Sequence, residues 1–313
     1  MPEFQSGTKI GRPTWRSASV DSERRHYLKR LLRLLVDIVV ALSVIGACVA
    51  LYRFGIIALL VIVFPLNDVQ LTVLRRIGVT ASLFAGYWAV AKYYERRIIN
   101  EFALKLVAVS ISAFCGIALI GLTIVSLFAL NNYQLLSFRG FSAALPIMSA
   151  IVLGVLFEEV IFRGIIFRLL EAHSGTVIAL LAQAPIFGVL HYFNDATTAM
   201  TVISVTLIGA FWTLIYVYSR NLWVVIANHA AWNVTIFVSG VPLSGQEHWR
   251  ISAPFESSYQ GPAWLTGGGF GPEDSVINIL VMTCALGALT YWVWQQKRFV
   301  RGSSIEPKPS TTG

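Results

Sequence analysis

Charge is scarce in this chain, and apolar side chains are abundant. Of its 313 residues, 13% are charged and 56% are hydrophobic, whereas a soluble domain is about 25% charged and about 45–50% apolar. A chain of this length cannot bury so much apolar surface in one core, because every folded protein exposes a large surface that needs polar cover in water. The composition therefore excludes a soluble enzyme, a nucleic-acid-binding module and a disordered chain. It indicates that lipid is part of the solvent.

Several familiar site motifs are also missing. The three cysteines, Cys48, Cys115 and Cys284, lie far apart in separate apolar runs. This spacing excludes a zinc knuckle or a redox pair and predicts small apolar core residues. Neither a His-Glu-x-x-His pair nor a Gly-x-Ser-x-Gly turn occurs. The glycines at 267–269 follow no strand and precede no Lys-Ser or Lys-Thr pair, so they predict a flexible connection rather than a phosphate loop.

Long apolar runs are what the sequence has instead. A spanning helix needs about 20 mostly apolar residues, and eight segments meet this need. The predicted spans are 31–66, 71–92, 102–130, 143–170, 176–193, 199–218, 222–240 and 275–294. The first is too long for one straight helix and is interrupted near Arg53 and Pro65. We therefore predict an all-α fold, a multi-pass transmembrane helical bundle with about eight spans.

The distribution of Lys and Arg predicts the orientation of the bundle. With the N-terminus inside, eighteen of the 24 basic residues fall in inside segments, five in outside segments, and Arg163 within a span. Lys and Arg accumulate on the cytoplasmic side of membranes, so both termini are expected to be cytoplasmic. The net charge of +8 is then explained by the topology of the chain in the lipid bilayer rather than by nucleic-acid binding. Residues 1–33 show no cleavable signal pattern, and we expect an integral protein of a bacterial inner membrane.

These patterns divide the chain into five parts. Residues 1–30 form a basic cytoplasmic segment, residues 31–142 the N-terminal transmembrane helices, and residues 143–240 a transmembrane core that holds the candidate site. Residues 241–274 form an extracytoplasmic loop, and residues 275–313 the last transmembrane helix with a cytoplasmic tail.

Ionisable residues within the spans are few, and each is costly in lipid, so each is a candidate for function. Glu158, Glu159 and Arg163 lie among Leu, Val, Ile and Phe in the fourth span. Glu159 and Arg163 are four residues apart, a spacing that favours an intrahelical ion pair. Glu158 is rotated by about 100° to a neighbouring face and has no local partner. An unpaired carboxylate here suggests a general base or a metal ligand.

Two of the five histidines also lie in spans. His191 lies late in the fifth span, and His229 lies in the seventh, four residues before Asn233 on the same helix face. We predict a joint site of Glu158, His191, His229 and Asn233. By its sequence position His191 lies nearer the outside than the other three, so a tilted or later helix would be needed to bring it to them.

Such a set of side chains permits two kinds of chemistry. Glu158 can take a proton from a water that attacks a peptide carbonyl, while an imidazole or amide stabilises the oxyanion. Alternatively, Glu158, His191 and His229 can hold zinc or another divalent metal with an open fourth position. The residues alone leave both open.

In its Glu, His and Asn motifs the sequence resembles the CPBP family of intramembrane proteases. This family groups type II CAAX prenyl endopeptidases with bacteriocin-processing and immunity proteins. The family motifs stand here as Glu158-Glu159-Val-Ile-Phe-Arg163, Phe187-x-x-x-His191 and His229-x-x-x-Asn233. They occur in the family order, in separate spans, over residues 149–238.

The resemblance implies an intramembrane endopeptidase, of metallo- or glutamate type, acting on a peptide or protein substrate at the membrane, such as a prenylated CAAX tail. It implies that Glu158 activates the water and that His191 and His229 assist it or bind metal. Asn233 would contribute to the oxyanion hole, and Glu159 and Arg163 would support the site. Together with the basic inside segments, it predicts a catalytic mouth that faces the cytoplasm.

Two other functions compete with this one. A non-catalytic immunity or scaffold membrane protein would keep the same fold without cleavage, although no motif residue is missing here. A transporter with a Glu/His proton relay would require repeated halves with interrupted helices, and the sequence shows no such symmetry.

Overall fold

A computed structural model describes residues 15–302 of the chain, with side chains from residue 24 onward. The first part of the predicted basic segment, residues 1–14, and the predicted polar tail from residue 303 lie outside the described residues. The α-helices are α1 (Trp15–Ala50), α2 (Ile57–Val63), α3 (Asp68–Ala89), α4 (Leu106–Ala129), α5 (Ala144–Glu159), α6 (Arg168–Ser174), α7 (Thr176–His191), α8 (Ala199–Ser219), α9 (Leu222–Val238), α10 (Ala263–Thr266) and α11 (Val276–Gln295). The strands are β1 (Tyr133–Phe138) and β2 (Phe255–Tyr259).

Three of these helices continue through wider, π-helical turns. The π segments are Leu51–Ile56, which joins α1 to α2, Val90–Tyr94, which extends α3, and Val160–Phe167, which joins α5 to α6. The helix is not broken near Arg53, where the sequence predicts an interruption, but continues from residue 24 to residue 63 through the first of these segments. Helix α2 stops before Pro65, since proline disfavours helical geometry in the preceding residue. Phe64 is accordingly extended, with ψ 136°.

The all-α membrane bundle is confirmed. Each predicted span corresponds to a helix or a run of joined helices. Within residues 15–302, five of them are long and apolar enough to cross a membrane: 24–63, 106–129, 144–174, 199–219 and 276–295. Helices α7 and α9 are apolar but have only 16 and 17 residues, and α3 carries Asp68, Arg75 and Arg76.

The outer faces of the bundle are apolar, as lipid contact requires. Ile62 is 81% exposed, Leu181 69% and Phe114 71%, although burial in water would favour hiding such side chains. The prediction that the cysteines are core residues is wrong for two of them, because Cys115 and Cys284 are exposed on this outer surface. A small apolar side chain is as stable in contact with lipid as it is in a protein core.

Close packing at glycine brings the central helices together. A Cβ atom on Gly116 of α4 would lie 2.4 Å from the Asn228 carbonyl oxygen of α9. One on Gly188 of α7 would lie 2.3 Å from Thr206 Oγ1 of α8. Small residues at such crossings let helix backbones approach in lipid. As a result, α7, α8 and α9 hold their polar residues in one narrow region.

The segment 241–275 is ordered structure, and the prediction of a flexible connection is wrong. Its strand β2 pairs antiparallel with β1, from Tyr133 opposite Tyr259 to Phe138 opposite Phe255, with an irregularity between Leu135 and Ser137. The Arg250 guanidinium donates to the carbonyl oxygens of Gly240 and Ser257, at 2.9 and 3.2 Å. We call the end of the bundle formed by residues 130–143, 192–198 and 239–275 the loop end.

The opposite end, formed by residues 95–105, 171–175, 219–221 and 296–302, is called the basic end. Ion pairs hold its connections in place. The Arg168 side chain lies 2.5 Å from Glu95, and Arg97 lies 2.8 Å from Glu101. Arg220 pairs with Glu171. Several of the charges that predict the orientation therefore also join the helices at this end.

The two ends permit a direct test of the predicted orientation. In a variant whose natural cysteines are replaced by alanine, Gln260→Cys places a thiol at the loop end, and Gln296→Cys places one at the basic end. Both positions are exposed. In intact cells, a membrane-impermeant maleimide should label the Gln260→Cys variant and leave the Gln296→Cys variant unlabelled until the cells are lysed. The reverse pattern would contradict the orientation predicted from Lys and Arg.

Candidate active site

A buried ion pair forms the inner layer of the site. Arg163 Nη1 lies 2.8 Å from Glu159 Oε1, and both side chains are fully buried. The pairing predicted from their four-residue spacing is confirmed. Glu159 is the last residue of α5, and Arg163 lies in the π segment that follows. Single π-helical turns within helices are often found at functional sites.

The Arg163 guanidinium is held on its remaining sides by α8 and α7. Nη2 donates to the Gly209 carbonyl oxygen at 2.7 Å, and Nε donates to Thr213 Oγ1 at 3.3 Å. Thr213 in turn donates to Gln183 Oε1 at 2.7 Å. The guanidinium also lies over the Phe187 ring, 4.9 Å from its centroid. A buried charge needs such partners, because its desolvation is costly.

His229 joins this ion pair to the cavity beside it. Its Nδ1 lies 2.7 Å from Glu159 Oε1, and since a paired carboxylate only accepts, this nitrogen carries the proton. The Trp212 indole stacks on the imidazole, with ring centroids 3.4 Å apart and an interplanar angle of 21°. Trp212 is itself fixed by its Nε1–H, which donates to Asn228 Oδ1 at 3.1 Å. His229 therefore has a set orientation, with Nε2 as its free nitrogen.

That free nitrogen is directed toward Glu158. His229 Nε2 and Glu158 Oε2 are 3.8 Å apart, too far for a direct hydrogen bond. Among the described residues, neither Glu158 Oε2 nor Asn233 Oδ1 has a hydrogen-bond partner. The Glu158 side chain is 37% exposed, whereas that of Glu159 is fully buried. The two adjacent carboxylates thus occupy different environments, as their rotation around the helix predicts.

A cavity of about 350 Å³ lies in front of Glu158. It is lined by Ala150, Ile151, Gly154, Val155, Glu158, Phe187, His191, Asn194, Val205, Ile208, Trp212, His229, Asn233, Leu243, Ser244, Gln246, Trp249 and Glu273. The structure therefore brings Glu158, His191, His229 and Asn233 to one cavity. Glu159 and Arg163 lie behind its wall.

His191 reaches the cavity without the tilt or later helix start that its sequence position seemed to require. Helix α7 begins at Thr176 and ends at His191, and the cavity extends from Glu158 toward the loop end, where His191 lines it. His191 Nδ1 lies 2.9 Å from the Phe187 carbonyl oxygen. Because a carbonyl only accepts, this nitrogen is the donor and Nε2 is free.

The cavity lies toward the loop end and not toward the basic end. A catalytic mouth that faces the cytoplasm and a cytoplasmic basic end, both predicted from the sequence, are therefore incompatible with each other. The cavity is lined by Leu243, Ser244, Gln246, Trp249 and Glu273, all of the loop end. Within the described chain, no lining residue comes from the basic end. Helix α5 enters the bundle from the loop end, so Glu158, near its far end, lies at the bottom of the cavity. Charge distribution predicts orientation, but it carries no information on where a cavity opens.

Sequence reasoning missed further polar residues of the site, among them Trp212, Ser244 and Glu273. Trp212 stacks on His229, while Ser244 and Glu273 lie in the segment predicted to be a flexible loop. Glu273 Oε1 accepts from Trp232 Nε1 at 3.1 Å, and Glu273 Oε2 accepts from the Ser244 hydroxyl at 2.7 Å. Burial raises the pKa of Glu273 above its ordinary value. No local pattern marks a carboxylate in a polar loop as buried, so the sequence offered no signal.

The donors required for a metal are present, but they do not converge. Both histidines hold Nδ1 in a hydrogen bond and leave Nε2 free, the arrangement typical of imidazole ligands. Yet in residues 15–302, no group of three His, Cys, Asp or Glu side chains gathers closely enough to hold a metal ion. The predicted set of Glu158, His191 and His229 therefore does not fit a three-ligand site in this arrangement.

Residues 140–235 match the family model described as type II CAAX prenyl endopeptidase Rce1-like. The matched segment contains all three motifs on which the resemblance rests, and it confirms that resemblance over these residues. Neither a curated protein nor a solved structure matches the chain.

The buried ion pair yields a prediction about stability. Arg163→Met leaves Glu159 buried without its cation, and breaking a buried pair in this way costs about 3–5 kcal/mol. We expect a large fall in the thermal unfolding temperature of the purified protein in detergent. Arg139→Met is the matched control, because its pair with Glu256 is exposed and exposed ion pairs contribute little to stability. Equal effects of the two substitutions would contradict a special role for the buried pair.

Proposed function

We propose that this chain, a member of the CAAX-protease family by its residues 140–235, is an endopeptidase that cleaves a membrane-associated polypeptide with Glu158 as general base. One observation carries the proposal. Glu158 faces a cavity inside an apolar bundle, and its Oε2 has no hydrogen-bond partner among the described residues. This oxygen lies 3.8 Å from Nε2 of His229, whose ring is fixed by Glu159 and Trp212. A general base must stand within reach of the proton that it removes, directly or through one water.

The gap between Glu158 and His229 suits a water molecule. Polar atoms separated by more than about 3.5 Å are commonly bridged by water. Glu158 Oε2 can accept a hydrogen bond, and so can His229 Nε2 when its proton is on Nδ1, so each can receive one hydrogen of the same water. The water would then be held with its lone pairs directed into the cavity, toward a bound peptide.

Hydrolysis of the peptide bond would begin with attack by this water. The water oxygen forms a bond to the peptide carbonyl carbon, and one of its protons passes to Glu158. The carbonyl oxygen becomes an oxyanion, which the Asn233 side-chain amide stabilises by donating a hydrogen bond. The carbon–nitrogen bond breaks, and Glu158 returns the proton to the leaving amine. His191, on the cavity wall nearer the loop end, would contact the substrate or the oxyanion.

The buried ion pair supports these roles without touching the substrate. Glu159 accepts a hydrogen bond from His229 Nδ1 and so fixes its tautomer, while Arg163 donates to the same Glu159 oxygen and holds that side chain in place. Orientation of an imidazole by a carboxylate behind it recurs in catalytic sites. We propose Glu159 and Arg163 as positioning residues.

A peptide or protein at the membrane is the substrate that this arrangement favours, and a prenylated CAAX peptide is the first probe to use. Wild type should cleave it in detergent, whereas Glu158→Gln should lower the rate at least about a hundredfold, since removing a general base costs 10²–10⁴-fold. The unfolding temperature should change little, because Glu158 pairs with no neighbour directly. Rates and unfolding temperatures would be measured on the same preparations.

Glu247→Gln is the matched control, because Glu247 is an exposed carboxylate of the loop end. It should leave the rate unchanged. Full activity of the Glu158→Gln variant would refute the proposed base. A stable wild type that cleaves no membrane peptide would favour the non-catalytic immunity or scaffold protein.

A role for zinc is tested separately. Because the three predicted ligands do not gather, cleavage should survive a chelator, and purified wild type should carry much less than one zinc per chain. The His191→Ala, His229→Ala double variant should show the same metal content as wild type. About one zinc per chain, lost in the double variant together with chelator-sensitive cleavage, would establish a metalloprotease instead.

A further inference from the structure

Two adjacent arginines of α3, Arg75 and Arg76, have no carboxylate beside them. Among the residues with described side chains, neither of them forms an ion pair. Arg75 Nε is buried and has no hydrogen-bond partner there, and Arg76 Nη1 donates to the Ser149 hydroxyl of α5. An unpaired cation in an apolar helix is costly. An anion that the described chain does not supply would therefore stabilise this part of α3.

Arg76 also lines an apolar groove on the outer surface of the bundle. The groove has a volume of about 690 Å³ and lies between α3, α5 and α9. It is lined by Arg76, Ile77, Thr80, Ala81, Phe84, Leu145, Met148, Ser149, Val152, Leu153 and Val234. The side chains of Ile77 and Leu145 are exposed, so the groove opens toward lipid. Its wall suits a hydrocarbon chain.

The few polar groups of the groove other than Arg76 are already engaged. The Thr80 hydroxyl donates to the Arg76 carbonyl oxygen at 2.7 Å, and the Ser149 hydroxyl donates to the Pro146 carbonyl oxygen at 2.9 Å. Ser149 also accepts from Arg76. The guanidinium has five N–H donors, and this one bond holds it at the groove while leaving other donors for a ligand.

The groove is separate from the cavity at Glu158. Helix α5 contributes Gly154 and Glu158 to the cavity, whereas it contributes Ser149 and Val152 to the groove. Residues at these spacings lie on different faces of one helix. Helix α5 therefore stands between the two spaces, and a molecule in the groove leaves the cavity free.

The depth of Arg76 fits the boundary between lipid headgroups and acyl chains. Helix α5 enters the bundle from the loop end, and Ser149 follows its first residue, Ala144, by five positions. At 1.5 Å per residue, Ser149 lies about 8 Å along the helix. The headgroup layers extend a similar distance on each side of the hydrocarbon core. A long basic side chain at this depth can reach the phosphates of the nearer leaflet.

We propose that Arg76, assisted by Arg75, binds the phosphate of an anionic phospholipid whose acyl chain lies in the groove between α3, α5 and α9. Guanidinium and phosphate match in charge and in bidentate geometry, and basic pockets between transmembrane helices are a known form of site for anionic headgroups. The lipid would come from the leaflet at the loop end. This inference goes beyond the proposed peptidase activity and does not depend on it.

The test measures lipid binding by native mass spectrometry of the delipidated protein in a neutral detergent. The probes are phosphatidylglycerol, which is anionic, phosphatidylcholine, which is zwitterionic, and diacylglycerol, which has no phosphate, all with the same acyl chains. We expect wild type to bind phosphatidylglycerol at least about fivefold more tightly than the other two. Arg76→Gln should lower the affinity for phosphatidylglycerol at least about fivefold, because it removes the cation.

Two further variants make the test specific. Arg53→Gln is the matched control, since Arg53 is an exposed arginine of the π segment Leu51–Ile56 and does not line the groove. It should leave lipid binding unchanged. Val152→Trp fills the groove without removing a charge and should also weaken binding of phosphatidylglycerol, even if Arg76→Gln folds poorly. Unfolding temperatures of all variants check their folding.

Each outcome decides for or against the site. Equal affinities for the three lipids would overturn the inference, as would equal losses in Arg53→Gln and Arg76→Gln or full binding by a folded Val152→Trp variant. Displacement of the lipid by inorganic phosphate would show a phosphate site without a role for the acyl chain. Displacement by a farnesylated peptide would assign the groove to the substrate instead. Retention of the lipid against both competitors would support the proposal.

Discussion

The site depends on one interaction, the buried contact of Glu159 with both Arg163 and His229. In an apolar bundle an unpaired charge is severely penalised, so Arg163 must find a carboxylate and further acceptors. Glu159, the Gly209 carbonyl and Thr213 satisfy it. One oxygen, Glu159 Oε1, accepts hydrogen bonds from both Arg163 Nη1 and His229 Nδ1. The helix that carries the pair and the helix that carries the histidine are thereby fixed to each other.

Once His229 is fixed, the remaining features follow. Its free Nε2 is directed to Glu158, whose position one residue before Glu159 places it on a different helix face. One adjacent pair of glutamates therefore separates two tasks: the buried member holds the structure, and the member at the cavity is available for chemistry. The close crossings at Gly116 and Gly188 bring α4 against α9 and α7 against α8, which keeps the cavity narrow.

Local patterns were sufficient for much of this arrangement. Apolar run lengths predicted the helices, the interruption near Arg53 predicted a change of helix geometry, and the spacing of Glu159 and Arg163 predicted their ion pair. The motifs predicted that Glu158, His191, His229 and Asn233 lie close together, and all four line one cavity. These successes share a cause, because helix periodicity and the cost of charge in lipid act within a few residues.

Because these patterns act within a few residues, they could not predict contacts between distant parts of the chain. Glu273 and Ser244 look like ordinary loop residues, and only the return of the chain over the cavity buries them. The pairing of β1 with β2 joins segments more than a hundred residues apart. The side on which the cavity opens depends on which loops fold over it, so the charge distribution alone does not reveal it.

The central claim is that Glu159 acts through His229, and a double-mutant cycle tests it most directly. The values of kcat/KM would be measured for wild type, Glu159→Gln, His229→Gln and the double variant, with unfolding temperatures as a check on folding. If Glu159 serves to orient His229, the double variant should be no slower than His229→Gln alone, since groups that act as a unit are strongly non-additive. Losses that multiply in the double variant would contradict the account, because the two residues would then act independently.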